Sequence, residues 1–520
     1  MDRRPSLLTT AFLLVALSVL SFTAGAATQS AGKTKGLSNE DVYKYLNPFV
    51  DALAIIREKY VDVDKTDPKD LVYGALQGMV NTLDPFSQFM PPEDYKEMQT
   101  ETSGKFGGLG IEIAIKDDRL TIISPIEGTP ADRAGLKAGD QILKIGDEKT
   151  DGMNINDAVK RLRGKVGTKV TITVGRGGLG EPFDVTLTRE PIKIESIHAY
   201  MLPHQIGYVR ITEFIDNTTD DFIKAVQDLE KQSPLKGLVV DLRNDPGGLL
   251  NEAVGVSDFF GKKGDMIVST KGRSANQDQE FRVSEGDKFD HKLPVVVMVN
   301  EGSASGAEIV AGALKDWKRG VLIGTKTFGK GSVQTILALD NSDGAALRLT
   351  MAKYYTPSGV CIHGIGIEPD LNLSNSDASE STLKVYSQQM PEKYAKELVK
   401  EGTAVTPDME ITPEMMKSFY DYCMKNVKKI DRDELKKDED YLKNSLLVEL
   451  VREKLGEKDA RKISVLRDKQ VLVAERIIED GGKISKQLYA EYPKKKVKEE
   501  EAGEKKLEEE RAKHREDSGE

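Results

Sequence analysis

Cysteine and histidine, the side chains that most often bind transition metals, are scarce in this sequence. The 520 residues include two cysteines, Cys361 and Cys423, and five histidines. Two cysteines allow at most one disulfide, so a disulfide framework does not stabilise the chain. No histidine lies in a recognisable catalytic triad. The segment of Cys361 and His363 offers only one potential ligand of each type, so we expect no bound metal there, and we expect no cofactor.

An excess of basic charge is also missing. The chain carries 75 basic and 85 acidic side chains, for a formal net charge of −10. This balance argues against a general affinity for nucleic acid or for acidic membrane surfaces. Hydrophobic residues make up 38% of the chain, which at this length predicts two to four domains with buried cores.

Long apolar runs are absent except near the start. Residues 7–22 are apolar, follow Arg3 and Arg4, and precede the small residues 24–26. This layout is typical of an export signal, here residues 1–27, although the run approaches the length of an uncleaved membrane anchor. We therefore expect an exported protein, either released by cleavage of the signal or anchored by it.

Helical periodicity marks both ends of the remaining chain. Apolar residues recur every three or four positions in 41–60 and 69–83, which predicts an N-terminal helical region over 38–100. Residues 376–492 are charged and helical, and the tail 493–520 is mostly charge and is expected to be solvated or disordered. Two apolar stripes lie in the C-terminal region: Leu446, Leu447, Leu450, Val451 and Leu455, then Val471, Leu472, Ile477 and Ile478. These helical extensions are candidates for contact with a second copy or an adaptor.

Residues 101–190 have a different pattern. A glycine-rich turn leads into alternating short strands and helices, and the phrases G-L-G-I, S-P-I-E-G-T-P-A-D-R-A-G-L-K-A-G-D-Q-I-L-K-I-G and N-D-A-V-K-R-L-R-G resemble a PDZ domain. Such a domain binds a terminal carboxylate with loop amides and pairs the peptide with a strand edge. The resemblance places Leu109, Gly110 and Ile111 at the carboxylate. A PDZ fold that only packs against its neighbour is the alternative.

Residues 191–375 alternate short, continuous apolar runs with helical stretches. This order is typical of an α/β core built from crossover units. Two loops in it carry unusual residues. The turn 243–248 ends in Pro-Gly-Gly, whose glycines let backbone amides approach a ligand closely. The segment 300–308 places Ser305 at a strand-to-helix turn, where a hydroxyl lies beside unpaired amides.

Lys330 lies in I-G-T-K-T-F-G-K-G-S-V-Q, which is one residue short of a phosphate-binding loop. Gly331 stands where that loop needs a hydroxyl, and 332–339 alternate like a strand rather than a helix, so we do not expect phosphate binding. A serine nucleophile needs a base. A lysine serves if burial lowers its pKa, and the residues around Lys330 bring no acid to keep it charged. The sequence therefore predicts Lys330 as a general base.

Several motifs together resemble the carboxy-terminal processing peptidases, which are serine endopeptidases with a PDZ domain and a Ser-Lys dyad. They are D-L-R-N-D-P-G-G, V-N-E-G-S-A-S-G-A-E-I, G-T-K-T-F-G-K-G-S-V-Q and Y-Y-T-P-S-G-V-C-I-H-G-I-G-I-E-P-D, and the likeness covers residues 40–372. The resemblance implies that Ser305 is the nucleophile, Lys330 the base and Gln334 the residue that orients its amine. It assigns the oxyanion to backbone N–H groups at Gly247, Gly248 and Gly306.

Two further residues have competing interpretations. Ser303 is a second serine beside Ser305, and we interpret it as a helix-capping residue, since capping favours serine regardless of chemistry. Asp316 matches a position of the family motif, and a structural role is the favoured interpretation. Ser305 therefore remains the predicted nucleophile.

The sequence thus predicts a multidomain α+β protein: an α/β peptidase core with an inserted PDZ-like domain and helical N- and C-terminal extensions. The predicted function is recognition of exposed apolar C-termini through the PDZ domain, followed by processing or degradation of those proteins. Together with the export signal, the resemblance implies that this takes place in the bacterial periplasm or cell envelope. A catalytically silent PDZ scaffold is the alternative, against which the presence of Ser305, Lys330 and Gln334 argues. An acyl-transfer enzyme on a related core is a third possibility, but it would not need a PDZ module.

Overall fold

The computed structural model describes residues 39–116, 119–126, 128–137, 139–176, 181–286, 288–340, 342–374 and 378–492. The predicted export signal and the charged tail lie outside these residues. The chain divides into two compact units at Thr82 and Leu83. The first unit contains helices α1 (Asn39–Lys59) and α2 (Pro68–Asn81), which match the predicted helices closely. Asp67 caps α2 by accepting the N–H groups of its first turn.

The second unit opens with β1 (Gln88–Met90) and α3 (Pro92–Thr102), followed by the PDZ-like module. The module contains β2 (Lys105–Gly108), β3 (Ile111–Lys116), β4 (Arg119–Pro125), α4 (Pro130–Arg133), β5 (Gln141–Ile145), β6 (Glu148–Lys149), α5 (Ile155–Leu162), β7 (Lys169–Gly175), β8 (Phe183–Thr188) and β9 (Glu190–Lys193). Strands β3-β4-β5-β7-β8 form an antiparallel sheet, while β2 pairs with β9. Strand β8 follows β7 in the chain and forms one edge of this sheet.

The α/β core has the predicted order of elements. Its elements are β10 (Ile197–Leu202), β11 (Ile206–Ile211), α6 (Thr218–Gln232), β12 (Gly237–Asp241), α7 (Leu250–Asp258), β13 (Met266–Gly272), β14 (Gln279–Arg282), β15 (Val295–Val299), α8 (Gly306–Asp316), β16 (Val321–Gly324), β17 (Ser332–Ala338), β18 (Ala346–Tyr355) and β19 (Leu371–Asn372). The central sheet runs β10-β11-β12-β15-β16-β19, parallel from β11 onward. Parallel strands end at one edge, which places the loops after β12, β15 and β16 together.

A second, antiparallel sheet follows the order β1-β18-β13-β14, with β17 also paired to β18. The predicted strand after Lys330 is β17, so the strand that ruled out a phosphate loop is confirmed. The sequence did not predict β1. Its pairing with β18 is a contact between segments more than 250 residues apart, which no local pattern indicates.

The C-terminal region is helical, as expected. Its helices are α9 (Glu380–Ser387), α10 (Met390–Lys400), α11 (Pro413–Asn426), α12 (Arg432–Lys437), α13 (Glu439–Leu455), α14 (Glu457–Leu466), α15 (Lys469–Glu479) and α16 (Lys486–Glu491). The first six share a hydrophobic core, in which the stripe of α13 is buried except for Leu455. Two ion pairs join β3 to these helices: Glu112 with Arg461 at 3.0 Å, and Lys116 with Glu392 at 2.5 Å.

The two faces of the central sheet are covered by different parts of the chain. Helices α6, α7 and α8 pack on one face, whereas α15 packs on the other through Val471, Ile477 and Ile478. Leu472, which the sequence placed in the same stripe, is exposed. Each apolar side chain of this size contributes about 1.5–3 kcal/mol when buried. The late helix α15 is therefore part of the α/β core.

Three negative findings apply to the described residues. Cys361 and Cys423 are both free thiols. Within the ranges given above, no group of three or more histidine, cysteine, aspartate or glutamate side chains is placed to hold a metal ion. In the same ranges, every helix is too short or too polar to cross a bilayer.

Candidate active site

Three loops meet at the carboxyl edge of the central sheet. They are residues 243–249 after β12, 300–305 after β15 and 325–331 after β16. The N–H of Ala304 donates to the carbonyl of Asp245 at 2.9 Å, and the N–H of Phe328 donates to the carbonyl of Ser303 at 3.0 Å. These bonds fix the middle loop, which carries Ser305, against both of its neighbours.

Ser305 has a strained backbone. Its φ of +52° and ψ of −111° are unusual for a residue with a side chain. It immediately precedes α8, whose first N–H, that of Gly306, uses no acceptor among the described residues. A sharp strand-to-helix turn of this kind presents a serine hydroxyl at the edge of an α/β sheet. The strain and the helix start agree with the predicted role of Ser305, although the residue is largely buried.

Glu308 connects Ser305 to the loop of Lys330. Its Oε2 accepts the N–H groups of Ser305 at 3.0 Å and Lys330 at 2.8 Å. Its Oε1 accepts the N–H of Gly329 at 2.8 Å and the hydroxyl of Thr327 at 2.5 Å. Glu308 is fully buried, and burial raises the pKa of its carboxyl despite these four hydrogen bonds. One carboxyl group therefore fixes the backbones of the two predicted dyad residues relative to each other.

Lys330 combines burial with an aromatic neighbour. Burial, and then the charge of Arg348, lower the pKa of its amine, while Glu308 acts in the opposite direction. The sequence had suggested that no acid lies near Lys330, and Glu308 corrects that expectation, although burial has the larger effect. The Nζ atom lies 5.4 Å from the centroid of the Phe86 ring. The environment favours the neutral amine that a general base requires.

Phe86 belongs to a tight turn before β1. The carboxylate of Asp84 accepts the N–H groups of Phe86 and Ser87, both at 2.8 Å, and the hydroxyl of Ser87 at 2.8 Å. Ser87 Oγ in turn accepts the N–H of Thr350 on β18 at 3.1 Å. The turn is thus attached to the antiparallel sheet, and it presents the ring of Phe86 to the lysine.

Gln334 lies on β17. Its Nε2 donates to the hydroxyls of Ser332 at 2.8 Å and Thr350 at 3.4 Å. These contacts direct the amide along the antiparallel sheet toward Thr350, whose N–H also donates to Ser87 Oγ. The expected orientation of the Lys330 amine by Gln334 stays a prediction.

The three predicted oxyanion donors differ in availability. The N–H of Gly247 donates to Asp245 Oδ1 at 2.8 Å, and its role as an oxyanion donor stays a prediction. Among the hydrogen bonds of the described residues, none uses the N–H of Gly248 or of Gly306. Gly247 also allows close approach: with φ of +91°, an added Cβ would lie 2.6 Å from Ser305 Cβ. Of the three predicted donors, Gly248 and Gly306 are therefore the two whose N–H groups use no acceptor among the described residues.

Ser303 and Asp316 have structural contacts. Ser303 Oγ donates to the carbonyl of Leu242 at 2.7 Å and accepts the N–H of Asn300 at 2.9 Å. It thus joins the ends of β12 and β15 rather than capping α8, as we had expected. Asp316 accepts the N–H of Ser358 at 2.9 Å, in keeping with a structural role.

The turn after β12 is anchored by a buried ion-pair network. Arg243 binds Asp241 through two hydrogen bonds of 2.9 and 2.6 Å, and it reaches Asp468 at 2.8 Å and Gln470 at 2.9 Å. The hydroxyl of Tyr208 donates to Asp241 at 2.6 Å. The segment that starts α15 therefore also holds the turn that contains Gly247 and Gly248.

The PDZ-like module keeps the expected loop geometry. Gly110 has φ of +75°, and an added Cβ would lie 2.2 Å from Thr129, so only glycine fits there. The side chain of Leu109 is buried, which leaves its backbone for recognition. Ile111 and Ile113 of β3 are only partly buried. This arrangement offers loop amides and an apolar strand edge, and the roles of Leu109, Gly110 and Ile111 stay a prediction.

Three residues of the site escaped sequence reasoning. Glu308 had a detectable signal, since Ser305-x-x-Glu308 matches a capping-box pattern. Asp245 stood inside a quoted motif without an assigned role. Phe86 had no signal, because its proximity to Lys330 depends on the long-range pairing of β1 with β18.

Comparison with known proteins gives three matches to family models. Peptidase family S41 matches residues 205–373, a PDZ domain matches 121–176, and the N-terminal domain of the activating protease CtpB matches 11–94. The first and second matches coincide with the α/β core and the PDZ-like module described above.

Individual known proteins match more than half of the chain. A carboxy-terminal-processing protease of Bartonella bacilliformis is 43% identical over 69% of this chain and 78% of its own length. The carboxy-terminal processing protease CtpA of Bacillus subtilis is 40% identical over 60% of this chain and 66% of its own. Among solved structures, a photosystem II D1 C-terminal processing protease is 31% identical, over 64% of this chain and 93% of that one, with a TM-score of 0.38. The chain therefore belongs to the carboxy-terminal processing proteases, serine peptidases of family S41 with a PDZ domain.

Proposed function

We propose that this peptidase cleaves proteins with a Ser305–Lys330 dyad. The observation that carries the proposal is the shared acceptor, since the N–H groups of both residues bind Glu308 Oε2. The lowered pKa of Lys330 and the strained turn at Ser305 support it independently. A base must be near its nucleophile and neutral at working pH.

The mechanism is acyl transfer. Ser305 gives its proton to the neutral amine of Lys330 as its oxygen attacks the scissile carbonyl. The N–H groups of Gly248 and Gly306 stabilise the oxyanion, and loss of one such donor typically costs about 3–4 kcal/mol. The Lys330 ammonium then protonates the leaving amine, and water hydrolyses the acyl-enzyme. Gln334 is the proposed orienting residue for the amine.

The proposed substrates are proteins with free, apolar C-termini. The backbone around Leu109, Gly110 and Ile111 would bind the terminal carboxylate, and the partly buried Ile113 would contribute to the apolar surface beside it. Given the apparent export signal, these substrates would be proteins of the bacterial envelope. A released or signal-anchored peptidase in the periplasm fits that assignment.

Association with a second copy or an adaptor through the helical extensions also belongs to this proposal. Within the first unit, α1 exposes Tyr45, Leu46 and Phe49, and exposed apolar side chains that cluster on one helix favour protein contact. Size measurement of the purified chain across a concentration series tests this part separately.

The main test uses the purified chain and a protein that ends in apolar residues, with an amidated copy as control. Fragments are identified by mass spectrometry. We expect cleavage by the wild type, weaker cleavage of the amidated copy and none by Ser305→Ala. Binding without cleavage by either enzyme would favour the scaffold alternative.

Ser303→Ala is the matched serine control. Ser303 binds the carbonyl of Leu242 rather than a substrate-facing group, so its loss should lower stability while turnover persists. Loss of turnover in Ser303→Ala with retention in Ser305→Ala would reverse the assignment of the nucleophile.

A further inference from the structure

Asp245 is a buried carboxyl group in the wall of the site. It is fully buried, and it follows β12 in the turn that leads to Gly247 and Gly248. Its Oδ1 accepts the N–H of Gly247 at 2.8 Å. Its Oδ2 is buried and has no hydrogen-bond partner among the described residues. A buried carboxylate with an unpartnered oxygen is costly, so the protonated form is favoured.

The backbone of Asp245 also contacts the nucleophile loop. Its carbonyl accepts the N–H of Ala304, the residue before Ser305. Its side-chain partner, Gly247, approaches Ser305 so closely that an added Cβ would clash with both Ser305 Cβ and the N–H of Gly306, each at 2.6 Å. Asp245 therefore determines where the turn lies relative to Ser305 and to one of the free amides.

The charges around Asp245 come from two neighbouring strands. Burial is the main cause that raises the pKa of Asp245 to about 8, with the Gly247 N–H acting in the opposite direction. Glu213, just after β11, and Asp241, at the end of β12, raise the pKa further, while Arg210 of β11 lowers it. Asp241 is itself paired with Arg243. The turn therefore contains a carboxyl that is mainly neutral at pH 7.

We propose that Asp245 is a positioning residue whose protonated carboxyl group holds the oxyanion-binding turn in place. Ionisation of Asp245 at alkaline pH then withdraws stabilisation of the oxyanion. This inference rests on the proposed function, since it assigns the oxyanion to this turn. A negative charge at Asp245 would repel the developing oxyanion in a poorly solvated site. It would also leave a charged Oδ2 without a donor, which favours movement of the turn.

Two substitutions separate charge from geometry. In Asp245→Asn, the amide oxygen still accepts the N–H of Gly247, and the side chain stays neutral at every pH. In Asp245→Ala, the N–H of Gly247 loses its acceptor. The first variant thus removes only the ionisation, and the second removes the contact that positions the turn.

The experiment measures kcat and KM for the tailed substrate from about pH 6 to about pH 10, with folding checked by circular dichroism at each pH. We expect kcat of the wild type to fall on the alkaline side with an apparent pKa of about 8. In Asp245→Asn the alkaline fall should disappear, so the profile rises and levels. In Asp245→Ala kcat should drop at least about tenfold at every pH, with little change in KM.

Infrared difference spectra between the wild type and Asp245→Asn give a second readout that needs no turnover. A protonated-carboxyl band should be present at neutral pH and vanish as the pH rises. An alkaline fall that persists in Asp245→Asn, or an Asp245→Ala variant with wild-type kcat, would overturn the proposal. A wild type that cleaves nothing would count against the proposed function. In that case the infrared spectra alone decide the further inference, and the absence of a protonated-carboxyl band would overturn it.

Discussion

The turn at 243–249 and the loop at 325–331 both approach Ser305, but they are held in different ways. The turn is anchored to the core by the buried pairs of Arg243 with Asp241 and Asp468. The loop is held by Glu308 and covered by Phe86, and Lys330 remains partly accessible. Each segment brings one ionisable group that burial favours in its neutral form, Asp245 and Lys330. Burial thus disfavours a negative charge beside the proposed oxyanion site and a positive charge on the proposed base.

The strongest way to break this comparison is to remove the base. We expect Lys330→Ala and Lys330→Arg to lose turnover by on the order of 10³-fold or more with the fold retained, because neither side chain can accept a proton at working pH. Steady-state kinetics and circular dichroism measure the two parts. Lys326→Ala, in the same loop but exposed and paired with Glu368, is the control. A fully active arginine variant would contradict a neutral-amine base.

The second prediction separates the loop from the turn. Glu308→Gln replaces one of the two accepting oxygens with an NH₂ group, which cannot accept a hydrogen bond. Either the N–H groups of Ser305 and Lys330 or the N–H of Gly329 and the hydroxyl of Thr327 then lose their acceptor. We expect kcat to fall on the order of 10²-fold, since catalytic geometry depends on small displacements. The alkaline fall of kcat that we assign to Asp245 should remain. An unchanged kcat would show that the shared acceptor does not position the dyad.

The third prediction concerns stability and belongs to the turn alone. A carboxyl whose pKa rises from 3.8 unfolded to about 8 folded binds more protons in the folded state between these values. Its contribution is full below pH 3.8 and is lost as the pH rises through about 8. Relative to Asp245→Asn, the wild type should therefore lose stability by up to a few kcal/mol over this window. Thermal unfolding of both proteins at several pH values measures this difference in stability. If the stability of the two proteins changed with pH in the same way, Asp245 would not be the group responsible.

The smallest expected effect sharpens the description of the loop. Phe86→Leu keeps an apolar side chain over Lys330 but removes the aromatic ring, whose π face stabilises the charged amine by about 0.5–1 kcal/mol. The pKa of Lys330 should fall, so the acidic side of the pH profile of kcat should move to lower pH by less than about one unit. Phe86→Ala admits water and should move this side of the profile to higher pH. Shifts of the same sign in the two variants would show that the ring acts only by filling space.

The fold was predictable where the pattern is local. The alternation of apolar runs and helices predicted the α/β core, and the strand after Lys330 was confirmed as β17. The long-range contacts were not predictable. The pairing of β1 with β18 and the packing of α15 on the central sheet join distant segments, and hydrophobic periodicity shows only that a face is buried, not against what.

The same limit applies to the candidate site. Motif likeness selected Ser305 and Lys330, and the structure brings their backbones to one acceptor. It could not show that the N–H of Gly247 is already used by Asp245, because that depends on the conformation of one turn. Nor could it show that Phe86 lies beside the lysine. Backbone hydrogen bonding and tertiary proximity carried the information that sequence lacked.

The packing of α15 also has a consequence for the order in which the molecule is made. The face of the central sheet that carries Val239 and Val296 is covered by residues of α15 and α16. These residues leave the ribosome more than a hundred positions after Lys330. Domains fold largely as units during synthesis, so this face stays open until α15 and α16 have been made. A nascent peptidase is thereby kept from completing its core before these two helices emerge, and a chain cut ahead of Lys469 should be prone to aggregation.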